Sequence, residues 1–344
     1  QGSPARKHHL VPRSYLDRWV EADKVRVTEP DTQHTYVAAP TAVARETDYY
    51  RLESEDIDAA EIPPLLFETL LSDVEGHGKT AIDELLARSP DEIDPELMAW
   101  FFWYLSFQFT RGRSFREQQR RLAQRLSQLN SGIIAHEMRE SLHGAIIPTA
   151  DEVRSVERVA DAVEDGTLIL MPQEPSLIDL SMRAADGVGR YFASREWVVY
   201  RTPPILVTCD EPVVVIGGPG QPRGRRGHLA DAGVVILPLT PSAVLAMFRP
   251  DRMPPPTAVT ELDHAETLDL NREIIANSVR WVFDQPSRRT AEKLRVPLAP
   301  PALGEDEPVE VVNVRGGRAI RVYQPTRWDG ADLVPDWPVA RWWR

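Results

Sequence analysis

The period of the apolar pattern changes near Arg195, and this change constrains the fold more than any other feature. Before it, residues 62–165 carry apolar side chains at spacings of three and four, which is typical of amphipathic helices. After it, residues 195–250 hold short β-rich runs broken by Pro and Gly, which predict a mixed or antiparallel sheet. The order predicts an α+β protein, in which a helical layer packs on that sheet within a single main domain.

Three segments of the helical part have the helical period. One helix opens at Pro63-Pro64, a longer one runs from about Pro95 to Leu129, and a third lies within residues 151–165. A last helix is predicted over about residues 262–283. The strand runs of the sheet part are residues 197–200, 205–208, 213–216, 234–237 and 244–248.

The two ends of the chain have their own patterns. Residues 7–50 predict an arm and a hairpin whose turn is Glu29-Pro30-Asp31, and we expect them to join the main domain, residues 4–296. Residues 297–344 predict a proline-rich linker, a hairpin around Arg315–Arg318 and a tail rich in tryptophan. That tail is expected to dock on the body or on a second subunit, which leaves the oligomeric state open.

Charge and cysteine content limit the partners. The net charge is −12, and a negative field repels polyanions, so nucleic-acid binding needs a local basic face. Cys209 is the only cysteine, which excludes an intrachain disulfide and a zinc site built on Cys residues. The most apolar run, residues 98–109, is shorter than the roughly 20 residues of a membrane span, and no secretory signal opens the chain. We therefore expect a cytoplasmic protein without a membrane partner.

Familiar site motifs are absent from the sequence. It contains no G-x-G-x-x-G after a strand run, no Walker A lysine loop, no H-E-x-x-H and no G-x-S-x-G. The segment Gly76–Thr80 is similar to the end of a phosphate loop, but it lies inside a helical pattern. No nucleotide cofactor motif is therefore found.

Two longer motifs carry a family resemblance. Residues 8–16 have the pattern H-H-x-V-P-x-x-Y-L, and residues 208–213 have the pattern T-x-D-x-P-V. With weaker matches along the chain, they resemble the bacterial domain-of-unknown-function family 4238 over about residues 7–285. The segment Arg111-Gly112-Arg113 departs from the expected pattern, which has a proline soon after the arginine. The resemblance implies no established activity, so it locates residues and leaves their roles open.

The opening motif contains two adjacent histidines. In an extended segment His8 and His9 point to opposite faces, so both meet one ligand only where the backbone bends. Imidazole titrates near neutral pH, which makes each a candidate metal ligand or general base. The alternative is a buried histidine bonded to the backbone, or an exposed pair. Tyr15, in the same motif, is a candidate for binding the substrate.

Gln108 and Arg111 lie in or beside the apolar stripe of the long predicted helix, and both are candidates for binding the substrate. A buried guanidinium needs a partner, because an isolated buried charge is costly. That partner is either an anionic ligand or an internal carboxylate. Glu75, which borders the apolar stripe of the preceding helix, is the internal candidate, and it is also a candidate metal ligand or general base.

Asp210 lies at the end of a strand run. A rigid sheet fixes such a carboxylate while its tip stays accessible, so Asp210 is a candidate catalytic residue and metal ligand. The alternative is an Asx turn. Asn271 precedes the apolar positions of the last helix, where an amide orients a substrate, caps the helix or makes a polar core contact.

These candidates occur in an arm, two helices and a strand end, and we expect them to converge on one pocket. Two imidazoles with carboxylates suit a divalent metal (Mn, Fe, Zn or Mg) that activates water, while Arg111 holds an anion. The sequence therefore predicts a metal-dependent hydrolase acting on a phosphodiester, nucleic acid included, or on another anionic substrate. One alternative is a non-catalytic binding protein for an anionic small molecule, with the basic loop 223–226 controlling access. The other is an interaction module with a structural polar core.

Overall fold

A computed structural model describes residues 7–47, 49, 66–141, 149–250, 260–301, 310–314, 317–322 and 324–343. The predicted helix start at Pro63-Pro64, the Arg315-Gly316 turn and the later part of the proline-rich linker lie outside these residues. Within them, helices and antiparallel sheets form a single α+β domain, so the predicted fold class is confirmed.

The helical part contains more helices than the sequence predicts. The third predicted helix is α6, whereas α5 and α7 were not predicted. No helix in the described part of the chain is long and apolar enough to cross a membrane. The described helices are α1 (Arg13–Leu16), α2 (Leu66–Ala87), α3 (Pro95–Thr110), α4 (Arg113–Leu129), α5 (Ser131–Ser141), α6 (Ala150–Glu164), α7 (Glu174–Ala193), α8 (His264–Asn277) and α9 (Thr290–Lys293).

The strands form two larger sheets and two pairs, all with antiparallel ladders. The described strands are β1 (Lys7–His9), β2 (Val25–Glu29), β3 (His34–Ala38), β4 (Arg45–Thr47), β5 (Glu196–Arg201), β6 (Thr208–Cys209), β7 (Val214–Ile216), β8 (Val234–Thr240), β9 (Ala243–Phe248), β10 (Val282–Asp284), β11 (Glu310–Val314) and β12 (Gly317–Arg321). One sheet has the order β5-β9-β8-β7 and the other β3-β2-β10-β6, while β1 pairs with β4 and β11 with β12. Both predicted hairpins, β2–β3 and β11–β12, are present.

The sheet β5-β9-β8-β7 is buried on both faces. Along β8, Leu237 belongs to the apolar core under the helices α2, α3 and α7, whereas Ile236 belongs to a second core under α8. The alternation follows from the two-residue period of a strand. Trp342 of the tail closes the second core, with its ring centroid 5.4 Å from those of Tyr200 and Phe248. Of the two expected docking places, the tail therefore occupies the body of its own chain.

The single long helix predicted from Pro95 to Leu129 is wrong, because the chain breaks into α3 and α4 at Gly112. Gly112 is extended, with φ −63° and ψ 155°. A Cβ at this position would lie 2.8 Å from Oε1 of Glu211, and the same oxygen accepts the backbone N–H of Ser114 at 2.7 Å. A distant carboxylate thus caps the start of α4, and only glycine leaves room for it.

The helix predicted over residues 262–283 is also shorter than expected. It ends at Asn277, and the apolar residues Val282 and Phe283 belong to β10. Ser278 is extended, with ψ 140°, and the next three backbone N–H groups turn towards the carboxylate of Asp210. The strand run predicted over 205–208 is similarly shifted, since β6 comprises Thr208 and Cys209.

Candidate functional site

His8 and His9 lie in β1, which pairs with β4 of the arm. His8 is buried, and His9 is partly buried. Burial, together with the charges of Arg45 and Arg111, lowers the pKa of His9 to about 4, so its imidazole is neutral at pH 7. Nδ1 of His9 is buried and makes no hydrogen bond within the part of the chain that the structure describes. A neutral imidazole of this kind is able to act as a ligand or base.

Arg111 and Glu75 form an ion pair between two helices. Nη1 of Arg111 donates to Oε1 of Glu75 at 2.6 Å, and the Arg111 side chain is 1% exposed whereas that of Glu75 is 26% exposed. Tyr49 donates its hydroxyl to the backbone carbonyl of Arg111 at 3.2 Å. Glu75, the internal carboxylate considered as a partner for Arg111, is therefore in contact with it.

Asp210 ties two distant segments together. Its Oδ1 accepts the N–H of Val279 at 3.0 Å, and its Oδ2 accepts those of Arg280 at 2.8 Å and Trp281 at 3.2 Å. Burial, with the nearby charge of Glu211, raises the pKa of Asp210 to about 6. Both carboxylate oxygens thus already serve as acceptors for the segment that joins α8 to β10.

Asn271 and Tyr15 also bond to the main chain. Asn271 donates to the carbonyl of Ile205 at 2.9 Å and accepts the N–H of Val207 at 2.9 Å, which fixes α8 to the segment before β6. The hydroxyl of Tyr15 bonds to Thr208 at 2.8 Å and donates to the carbonyl of Pro238 at 2.7 Å. Both side chains are buried, so they hold the arm, α8 and the two sheets in register.

The candidates come together only in part. His9, Arg111 and Glu75 are near one another, since the charge of Arg111 acts on His9 and its guanidinium contacts Glu75. Among the described residues, no group of three or more His, Cys, Asp or Glu side chains is arranged to hold a metal ion. The metal-dependent hydrolase and the catalytic roles of these residues stay predictions.

Gln108 borders a cavity of about 340 Å³. Its side chain is 3% exposed, and its Oε1 has no hydrogen-bond partner in the described structure. An unpaired buried carbonyl is costly, which indicates a place where a ligand or water donates. We name this space the carboxamide cavity, because five amide side chains border it: Gln108, Gln118, Gln119, Asn277 and Gln324.

A second cavity, of about 300 Å³, has a strongly basic lining. We name it the arginine cavity, since its wall includes Arg113, Arg121, Arg223, Arg225, Arg226 and Arg327. Two carboxylates, Glu117 and Glu273, also line it, so the formal charge of the lining is +4. The wall combines the start of α4, the basic loop 217–227, the end of α8 and the tail.

Ion pairs fix the arginines of this wall. Arg226 donates to Glu211 at 3.2 Å, and Arg223, which is mostly buried, pairs with Glu273 of α8 while its guanidinium lies 4.3 Å from the ring centroid of Trp337. Burial is the main cause that raises the pKa of Glu273, although the charge of Arg223 acts against it. Such pairing orders the guanidinium groups before any ligand arrives.

The basic loop is held by the tail. The N–H of Arg226 donates to the carbonyl of Gln324 at 2.8 Å, and that of Thr326 donates to the carbonyl of Gly224 at 3.0 Å. Sequence reasoning selected the loop 223–226 but did not select Arg113 or Arg327. The glycine-rich basic loop was the one feature of the sequence that indicated this cavity. The other walls are formed by residues that lie far apart in the chain.

Comparison with known proteins adds a family and no activity. No curated protein and no solved structure matches the chain significantly. The family match ends within the segment that follows β10, so the tail that completes the arginine cavity lies beyond it. The chain belongs to the family described as proteins of unknown function, DUF4238, whose model matches residues 7–288.

Proposed function

We propose that the protein binds an anionic small molecule in the arginine cavity. The observation that carries this proposal is the concentration of six arginines around one cavity in a chain whose net charge is −12. At least five of them pair with a carboxylate, including Glu46, Asp31 and Glu211 outside the lining, but each guanidinium has more N–H donors than one such pair uses. An overall negative field repels anions, so a local positive concavity of this kind supports a site for an anionic ligand. The size of the cavity favours a small molecule over a polymer.

The guanidinium groups still have donors to offer. Arg121 uses Nε for its bond to Glu117 at 2.9 Å, and its two terminal amino groups make no hydrogen bond within the described residues. A guanidinium carries five N–H donors in a planar fork that matches phosphate and carboxylate oxygens. The nearby N-terminal end of α4 adds positive potential, although Glu211 already accepts its Ser114 N–H.

Isothermal titration calorimetry with inorganic phosphate and pyrophosphate at low salt tests the proposal. The double variant Arg121→Gln, Arg225→Gln is expected to bind pyrophosphate about tenfold or more weakly, because hydrogen bonds to charged groups contribute about 1.5–3 kcal/mol each. The control variant Arg154→Gln, Arg183→Gln removes the same charge from exposed helix positions outside the cavity. Its affinity is expected to match the wild type.

Absence of anion binding at low salt would contradict the proposal, and so would equal losses in the two double variants. Equal losses would mean that the bulk field, rather than the cavity, attracts the anion. Binding that weakens as salt is raised, in the wild type and the control alike, agrees with an ionic contact.

A further inference from the structure

The arginine cavity and the carboxamide cavity adjoin each other. Six residues line both: Ser114, Val215, Arg226, Gly227, Asn277 and Gln324. The two spaces are therefore separated by no more than these shared side chains. A single small molecule can therefore occupy both cavities. Their volumes, about 300 and 340 Å³, together fall in the range of sites that bind drug-sized molecules.

The chemistry changes across this boundary. Six arginines line the arginine cavity, whereas the carboxamide cavity has one, Arg226, whose carboxylate partner Glu211, at 3.2 Å, lines it as well. The second lining is formally neutral. With its histidine, His228, neutral, this lining suits an uncharged group.

Three of the amides that border the carboxamide cavity each use one N–H on a backbone carbonyl, and one buried amide oxygen is left open. Asn277 spends its amide nitrogen on the carbonyl of Glu211 at 2.7 Å, and Gln324 spends its own on the carbonyl of Ser114 at 2.7 Å. Gln118 donates to the carbonyl of Val322 at 3.5 Å. The carbonyl oxygen of Gln108 is buried with no partner in the described structure. A ligand group in this cavity therefore needs O–H or N–H donors.

An apolar wall faces these amides. Phe109 and Phe115 meet edge to face with ring centroids 6.0 Å apart, and both border the cavity with Val213 and Val215. Apolar and aromatic side chains opposite a few polar groups are typical of pockets that bind a ring by its face and read its edge.

We propose that the two cavities bind one ligand, a phosphate ester whose neutral ring bears hydrogen-bond donors. The phosphate occupies the arginine cavity, and the ring occupies the carboxamide cavity, where it donates to Gln108. This inference rests on the proposed anion binding and specifies its ligand class. A sugar phosphate and a nucleoside monophosphate share the required chemistry, and no phosphate-loop motif is needed because arginines hold the phosphate.

Calorimetry with three probes tests this: inorganic phosphate, ribose 5-phosphate and adenosine 5′-monophosphate. We expect the esters to bind about tenfold or more tightly than inorganic phosphate, which corresponds to about 1.4 kcal/mol, because the ring pairs with a buried carbonyl oxygen that is otherwise unsatisfied. Gln108→Met is expected to lower ester affinity by about tenfold and to leave phosphate affinity unchanged. Equal affinity for the two esters indicates the sugar, and tighter binding of adenosine 5′-monophosphate indicates the base.

Gln124→Met, on α4 outside both cavities, is the matched control. Gln119→Met probes the carboxamide cavity from a partly exposed position, where a substitution is expected to disturb folding less than at Gln108. Esters that bind no more tightly than phosphate overturn the inference, and so does ester affinity that is unchanged in both Gln108→Met and Gln119→Met. With either outcome, the protein would still bind phosphate, and that binding would still depend on Arg121 and Arg225. Loss of phosphate binding itself overturns the proposed function as well.

Discussion

Asp210 accepts the backbone N–H of Arg280 at 2.8 Å, although the two residues are 70 positions apart. Two more N–H groups, of Val279 and Trp281, bond to the same carboxylate. The side chain that the sequence proposes as catalytic is therefore also the group that ends α8 and begins β10.

Asp210→Asn is expected to reduce the free energy of unfolding by about 2–3 kcal/mol at pH 7, because an amide supplies one acceptor and turns its NH₂ towards backbone donors. Urea unfolding followed by circular dichroism measures the loss. Asp269→Asn, which changes a half-exposed carboxylate, is the control and should stay within about 0.5 kcal/mol of the wild type. Similar losses in the two variants would contradict a special role for Asp210.

The raised pKa of Asp210 predicts a pH dependence. The pKa of its carboxyl is about 6 in the folded state, compared with an ordinary value of 3.8, so the folded protein binds this proton more tightly than the unfolded chain does. This contribution to stability is fully present below pH 3.8 and is lost as the pH rises through 6. The stability difference between the wild type and Asp210→Asn should therefore shrink by about 2 kcal/mol from pH 4 to pH 7. If the free energies of unfolding of the wild type and of Asp210→Asn change in parallel with pH, this prediction is wrong.

His9 predicts the opposite slope. Its pKa falls from 6.5 to about 4 on folding, so the unfolded chain takes up the proton first. The stability that the neutral imidazole provides is present above pH 6.5 and is lost as the pH falls towards 4. As the pH falls from 6.5 to 4, the free energy of unfolding of His9→Gln should therefore decrease less than that of the wild type. The exposed His34→Gln variant, measured in the same denaturation series, should follow the wild-type curve.

Arg111 and Glu75 should be coupled. Glu75→Gln removes the carboxylate that contacts the buried guanidinium, and we expect it to reduce the free energy of unfolding by about 2–4 kcal/mol. Adding Arg111→Met should restore part of the loss, since the charge that needs a partner is then removed. A double-mutant cycle from urea unfolding gives the coupling energy. Strictly additive losses would show that the contact contributes little.

Elemental analysis tests the predicted hydrolase. A metal-dependent enzyme is expected to carry near-stoichiometric Mn, Fe, Zn or Mg when purified without a metal column. The metal should disappear in the His8→Ala, His9→Ala variant if β1 supplies the ligands. Metal-free protein that also fails to take up metal on reconstitution would exclude this mechanism and favour the binding function.

The sequence predicts local features well and long-range ones poorly. The hairpins and the change from helices to strands follow from two-residue and three-to-four-residue periods within single segments. The break at Gly112 does not, because its cause is the Glu211 carboxylate 97 positions from the Ser114 N–H that it accepts. The end of α8 is missed for the same reason, since Asp210 fixes it from a distant strand.

The same limit applies to the site. Sequence patterns single out Gln108 as a polar residue in an apolar stripe; its predicted role in binding is untested, and the structure places it, buried, beside a cavity. They could not assemble the arginine cavity, because Arg121, Arg223 and Arg327 come from a helix, a loop and the tail. Charge alone gives no sign of such convergence in an acidic chain.

The position of the tail has a thermodynamic consequence. Trp328 and Trp337 complete one wall of the arginine cavity, while Trp342 anchors the same tail in the second core. Any molecule that binds between tail and body is lost when the tail separates, so the two equilibria are linked. A ligand bound there should therefore slow the exchange of amide hydrogens around Trp342, and a weakened anchor should lower ligand affinity once the separated state is appreciably populated.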